Sequence, residues 1–405
     1  MKVETKLPKS FLKKVNFKFV LVAVFALVCS VTAIYYGLLL NNKLSISHRL
    51  TVELEDKNSA LMAEIDALKA RIVELENEDT RAKNKQVTDT IKQMQDTYKK
   101  AVTVYEQLVD LRELSKSTKK LDELYASSLQ ILATTDYASA SAKLADLGKS
   151  IDEEKKKVTA ASAGNLANIP VNNTPPSAGY SRQSVQTDSG TFVVSLISAD
   201  LGSTKVIVDT ASDGDCGNNC PVLPLATYVS RSGAYAGVNG SYFCPSTYPT
   251  CAGKTNSFDL LVMNKNKKYF NSDNNVYSNN PAVIFGGGYM RFVSAASQWG
   301  RDTGVDGVLS NFPLLVEGGN NRFGGDSDPK HASRGNRSFV ANKGNTAYIG
   351  VVHSASVAEA AKVLKALGME NALNLDDGGS TALWSGGYKV GPGRELPNAI
   401  LFVKK

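Results

Sequence analysis

The chain has 405 residues and a formal net charge of +7, with 42% hydrophobic and 21% charged residues. That length exceeds one ordinary domain, and that balance belongs to folded protein rather than disorder. Much of the charge sits in the first eighteen residues and the helical segments that follow, so nothing argues for a nucleic-acid partner. No P-loop, dinucleotide glycine fingerprint or zinc-finger spacing occurs, and His48, His331 and His353 are too few for a multi-histidine metal site.

Residues 1–18 form a basic tail with Lys2, Lys6, Lys9, Lys13, Lys14 and Lys18 against Glu4. Phe19 to Leu40 is an uncharged apolar run, long enough to cross a hydrocarbon core of roughly 30 Å. Lysine excess before the run predicts a cytoplasmic N-terminus and an extracytoplasmic remainder. A cleaved signal peptide would have a shorter apolar core and a small-residue cleavage site, so a retained anchor in the lipid bilayer is the expectation.

Residues 41–83 read as a coiled coil. Leu54, Leu61, Leu68 and Leu75 recur at heptad spacing, with Ile65 and Ile72 between them and Asn58 on the seam. The pattern suits a parallel homodimer; a single amphipathic helix packed on the next segment is the alternative. Residues 84–159 continue as a helical bundle or hairpins. Their apolar patterns are Val87, Ile91, Met94, Tyr98, Ala101, Tyr105 and Leu108, then Leu121, Leu124, Leu129 and Leu132, then Leu144, Leu147 and Ile151. Breaks are expected near Ser115–Thr118 and Thr134–Asp136, where Ser, Thr and Asp can cap new helices. Residues 160–188, rich in Ala, Asn, Pro and Ser and nearly uncharged, read as a flexible tether.

From residue 189 to 405 short β-branched runs alternate with Gly, Asn and Asp turns. Strands are expected at Thr191–Ile197, Lys205–Asp209, Asp259–Met263, Ala282–Phe285, Leu314–Glu317, Ser338–Ala341 and Thr346–Val352. One amphipathic helix, Val357 to Leu367, stops at Gly368. This is an α+β domain with a mixed β-sheet, preceded by a transmembrane helix and an all-α stalk. Cys216, Cys220, Cys244 and Cys251 lie in this domain, while Cys29 lies in the apolar run. An even count in an exported domain predicts two disulfides rather than a zinc site. Cys216–Cys220 and Cys244–Cys251 is the simplest of three connectivities.

Two polar clusters stand out. One is Val238-Asn239-Gly240-Ser241-Tyr242-Phe243. The other is Asn374-Leu375-Asp376-Asp377-Gly378-Gly379-Ser380-Thr381. The second runs an apolar strand into two carboxylates, two glycines and two hydroxyls. Carboxylates there can act as acid, base or sugar-hydroxyl acceptors, and the glycines let backbone approach an anion. An ordinary strand-end turn has the same chemistry. A nucleophilic triad of Ser380 with His331 or His353 lacks a nucleophile-elbow context.

The second cluster resembles the Asn-Leu-Asp-Gly-Gly-Gly-Ser-Thr signature of the phosphodiester glycosidase family. Val238 to Phe243, Leu309 to Gly319 and Arg337-Ser338 resemble that family's other motifs in the same order. The resemblance covers residues 190–405 and none of the stalk. It implies hydrolysis of a glycan or other sugar-1-phosphodiester. In that reading Asp376 is the first candidate catalytic carboxylate, with Glu317 or Asp377 as the second. Arg337 would grip the phosphate through its guanidinium fork. Asn239, Gly240, Tyr242, Asn374, Gly378, Gly379, Ser380 and Thr381 would line the substrate. The residues specify no cofactor; a divalent cation on Asp376 or Asp377 is compatible with them but not demanded by them. Asp377 replaces the family's first glycine and adds a negative charge where phosphate would approach. That departure keeps a rival reading open, a non-catalytic glycan-binding or structural envelope protein with a decayed site.

Overall fold

The computed structural model describes residues 17–75, 78–115, 117–162 and 169–405. Most of the basic tail and residues 163–168 of the predicted tether lie outside the described residues. The chain divides into two compact units, Met1–Ile91 and Lys92–Lys405.

In the first unit, α1 (Phe17–Leu75) is one helix of 59 residues. It contains no proline and a single glycine, Gly37, so nothing interrupts it between the apolar run and the heptads. It is the one helix among the described residues that is long and apolar enough to cross a membrane. An anchor or a signal segment has this character. Leu54, Leu61, Ile65, Leu68 and Ile72 are all exposed within the chain.

The second unit opens with a helical bundle. It is formed by α2 (Glu78–Leu114), whose later part lies in this unit, with α3 (Lys119–Ala133) and α4 (Tyr137–Ser162). Asp136 caps α4, its Oδ1 accepting from the Ser139 amide at 3.0 Å. Thr118 flanks α3, but its hydroxyl donates to Asp122 Oδ2 at 3.0 Å instead of capping. Ala101, Val104, Leu108 and Leu111 of α2 pack on Leu132, Ala140, Leu144, Leu147 and Ile151. On α3 the inward seam is Leu121, Tyr125, Ser128 and Leu132, while Leu124 and Leu129 stay exposed. Four leucines in one helix do not all share its buried face, and the 3.6-residue period decides which do.

The following domain is α+β, built on three antiparallel sheets. The first has strand order Gly179–Thr187, Gly190–Asp200, Thr346–Ala355, Gly335–Lys343, Asn371–Asn374, Leu314–Glu317, Asn320–Asn321. The second runs Tyr388–Val390, Leu383–Ser385, Ala236–Asn239, Asn398–Lys404, Thr204–Thr210. The third is Tyr269–Phe270, Val262–Met263, Gly307–Ser310, Ala282–Gly286, Tyr289–Val293. Strand alternation explains the layering. Val340, Ile349 and Leu373 turn to a core shared with Val238 and Ile400 of the second sheet and Val283 and Leu309 of the third. Phe339, Ala341 and Tyr348, one residue out of phase, meet the helix Val357–Ala366 on the other face. That helix starts with a complete capping box, Ser356 with Glu359, worth about 1 kcal/mol.

Gly179–Thr187 corrects the tether's extent. It pairs along its whole length with Gly190–Ser198, and Val185 is fully buried. The segment is polar because it is an edge strand with one wet face, so it lacks the apolar density of an interior strand. The two disulfides are Cys216–Cys220 and Cys244–Cys251, which removes the zinc alternative.

Candidate active site

The two polar clusters meet where the first and second sheets adjoin. Asn374 ends the strand Asn371–Asn374, and Asn239 ends Ala236–Asn239. The chain beyond each strand is tied to the other: the Asp376 amide donates to Gly240 O at 2.9 Å, and Asn239 Nδ2 donates to Asp376 O at 2.7 Å. Asn239 Oδ1 accepts from Ser338 Oγ at 2.8 Å and from the Ala382 amide at 3.1 Å. Asn239 is fully buried, so its side chain fixes the two loops rather than reaching a ligand. Gly240 is there for space. A Cβ would fall 1.8 Å from Asn398 Oδ1, the atom that accepts the Ser241 amide at 2.9 Å.

Asp377 turns inward. Its Oδ2 accepts from Arg337 Nη1 at 3.0 Å and Asn374 Nδ2 at 3.0 Å, and its Oδ1 from the Ser338 amide at 3.1 Å. Both partners of the ion pair are buried, with side-chain exposures of 6% and 8%. Arg337 also donates from Nε to Ala355 O at 3.0 Å and from Nη2 to Lys330 O at 2.8 Å and to Ser333 O. Its fork is therefore engaged with protein. Burial pushes the Asp377 carboxyl up, against the pull of Arg337, Asn374 and the Ser338 amide. The backbone of Asp377 is extended, with φ −123°, so this position accepts a side chain where the family signature has glycine.

Asp376 is different. Its Oδ1 accepts from the Asp377 amide at 2.9 Å. The neighbouring Ser380 hydroxyl helps hold its pKa down. The residue keeps partial solvent access, yet burial raises its carboxyl to about 7, with Asp377 adding to the rise and Arg394 opposing it. Ser380 Oγ and Asn374 Oδ1 are buried and lack well-formed hydrogen bonds. Asn374 Nδ2 meanwhile donates to the Tyr242 hydroxyl at 2.7 Å. Tyr242 packs edge-on against Phe312, ring centroids 5.0 Å apart, and burial followed by the Asp377 and Asp376 charges pushes its phenol well up.

Asn239, Gly240, Tyr242, Arg337, Asn374, Asp376, Asp377 and the Gly378–Ser380 turn thus converge, and Thr381 closes the turn, its amide donating to Gly378 O at 3.1 Å. Glu317 does not join them. It sits opposite the start of the strand Asn371–Asn374, at the far end from Asp376, and pairs with Arg322 Nε at 2.9 Å. The histidines stand apart too. His353 Nε2 meets Ser195 Oγ at 3.0 Å and His331 Nδ1 meets Asp326 Oδ2 at 2.8 Å, so neither serves Ser380. Burial lowers His353 to about 4, which keeps it neutral. Among the described residues no group of three or more His, Cys, Asp or Glu side chains is gathered to hold a metal. The residue missed in the sequence is Arg394. Its amide donates to Gly379 O at 2.9 Å, and its charge bears on Asp376. Its only local signal is its place after Gly391-Pro392-Gly393, a turn signal that names no role.

Among solved structures, one similar chain is a hypothetical protein from Synechocystis. It is 15% identical over 55% of this chain and 62% of that one, with a TM-score of 0.39. This chain therefore spans 62% of the length of that structure. Another is the zebrafish N-acetylglucosamine-1-phosphodiester α-N-acetylglucosaminidase catalytic domain, auto-inhibited by its pro-peptide. It is 15% identical over 59% of this chain and 87% of that one, with a TM-score of 0.44. No curated protein sequence matches. Residues 232–403 match the phosphodiester glycosidase family, and they hold every residue of the cluster around Asp376; this part of the chain is a domain of that family.

Proposed function

We propose that this chain is a membrane-anchored, extracytoplasmic hydrolase that releases a sugar from a sugar-1-phosphodiester. The observation that carries the reading is Asp376, a carboxyl poised near neutrality on a turn whose other acid is locked to Arg337. A phosphate leaves with its electron pair and needs no proton, so a strong general acid is unnecessary. A base suffices. Water attacks the anomeric carbon, its proton passes to the Asp376 carboxylate, and the bond from that carbon to the phosphate oxygen breaks. With Asp377 paired to Arg337 and Glu317 to Arg322, a single displacement with Asp376 as base fits best. Asp377 no longer favours a decayed site, because its charge is answered inside the protein. The test is a panel of sugar-1-phosphodiesters against the detergent-solubilised full chain between pH 5 and 9. Sugar release should rise with pH through about 7, because the raised carboxyl must lose its proton to act. Release that falls over the same range would make Asp376 an acid, and no release from any member would remove the glycosidase reading.

Placement rests on the apolar helix, the lysine excess before it and the two disulfides, which form in oxidising compartments. Protease added to intact spheroplasts should remove the C-terminal domain. Its protection until lysis would reverse the orientation.

A further inference from the structure

Arg337 is paired inward with Asp377 at 6% side-chain exposure, whereas Arg394, although paired with Asp110, keeps 13% and lines an open cleft. We propose that Arg394 forms the anion-binding subsite of this site, and that Asp110 of α2 positions it, so that the helical bundle completes the substrate site. The proposal rests on the reading of Asp376 as the reacting carboxylate.

The placement is geometric. Gly393, at φ +67°, packs so tightly on the turn after Asp377 that a Cβ would lie 2.9 Å from Thr381 O and 3.0 Å from Gly379 O. The Arg394 amide then donates to Gly379 O, so the guanidinium starts from backbone bonded to the Asp376–Ser380 turn. From there Arg394 Nη2 reaches Asp110 Oδ1 at 3.0 Å, and Tyr248 donates its hydroxyl to the same oxygen at 2.6 Å. The guanidinium lies 5.2 Å from the Tyr248 ring centre, and Lys330 Nζ lies 4.9 Å from that ring. Two cations thus converge on one aromatic ring. One helical turn before Asp110, Glu106 accepts from the Thr250 amide and hydroxyl. The i and i+4 carboxylates of α2 therefore grip the Cys244–Cys251 loop and Arg394 together.

Beside Arg394 lies a cleft of about 140 Å³ lined by Phe243, Ser246, Thr247, Asn256 and Glu395 among others. Asp376 does not line it. It is smaller than the roughly 300–1,000 Å³ of a site for a whole small molecule, so it suits one group of a larger substrate. Hydroxyls, an amide and a guanidinium suit a phosphate; Glu395 on the rim disfavours a dianion and so favours the singly charged diester.

The experiment uses the full chain and two substrates of the sugar the panel selects, the phosphodiester and a neutral aryl glycoside. Measured at about pH 9, where Asp376 is ionised with or without the Arg394 charge, Arg394→Gln should raise KM for the phosphodiester by roughly 10- to 100-fold, the loss of a charge-assisted contact, and raise it much less for the aryl glycoside. Arg394→Lys should recover part of it. Asp110→Asn should shift the same charged-to-neutral selectivity in the same direction, by less. Equal losses on both substrates, or faster phosphodiester turnover in Asp110→Asn, would overturn the assignment. Titration with inorganic phosphate at about pH 5, where it is singly charged like the diester, followed by phosphorus NMR, separates this proposal from the glycosidase reading. Wild type should bind phosphate and Arg394→Gln should bind it at least tenfold more weakly, even if no glycoside is cleaved. A wild type that binds no phosphate, or a variant that binds it equally well, sinks the subsite.

Discussion

Replacement of Asp376 by asparagine is expected to cut sugar release by about 100-fold or more while the protein stays folded. The amide keeps the shape of the carboxylate, and its Oδ1 can still accept the Asp377 amide. What disappears is the proton acceptor. The pH dependence near 7 should disappear with it. Stability gives an independent reading. A carboxyl raised to about 7 holds its proton more tightly in the folded chain than in the unfolded one. Wild type therefore loses more stability than Asp376→Asn as pH rises from the ordinary carboxylate range to about 7, Asp377 being raised in both. At pH 8 the variant should melt at a higher temperature than wild type, a catalytic residue held against the preference of the fold. Wild-type turnover in this variant would remove Asp376 from the chemistry, and unchanged melting across pH 4 to 8 in both proteins would remove its perturbed carboxyl.

Arg337→Ala should cost about 3–5 kcal/mol of stability, because it leaves a buried Asp377 without its counter-ion and two or more carbonyls without their donor. Denaturant unfolding measures this directly. Asp377→Gly in the same chain should return part of the loss by removing the stranded charge, and the two changes should be strongly non-additive. The result also decides between two roles for this arginine. A variant that keeps its stability but fails to bind the phosphodiester would restore Arg337 as the phosphate contact.

The two roles also mark the limit of what the sequence discloses. Asn239, Asp376 and Arg337 were legible as neighbours because each lies in a motif, and the motifs do converge. Their directions were not legible. Whether Asp377 faces solvent or Arg337 depends on a turn bonded to a strand from another sheet, and Ser338, which supplies the deciding amide, looks like any strand residue. The helix Val357–Ala366 and strands such as Ala282–Gly286 and Thr346–Ala355 were readable from apolar patterning, whereas the interior strands Gly307–Ser310 and Asn398–Lys404 were not. Gly179–Thr187 was not, since one buried valine among serines and glutamines resembles a tether until its partner strand is known. Glu317 was misleading for the opposite reason: its motif was visible, but antiparallel pairing carries it to the wrong end of the sheet.

The strand Gly179–Thr187 bears on how the domain behaves at high concentration. It is the outermost strand of the seven-stranded sheet, where a naked backbone would invite another chain to add on. Residues 170–174 forestall this. The Ser184 amide donates to Pro170 O at 3.1 Å, Ser184 O accepts the Asn172 amide at 2.8 Å, and Asn173 Oδ1 takes the Gln186 amide at 2.9 Å. Pro170 has no amide of its own to offer a newcomer. At the opposite border the sheet tapers to the two-residue strand Asn320–Asn321. Both borders are thus poor templates for strand addition, which favours colloidal stability in a domain whose three sheets are all antiparallel.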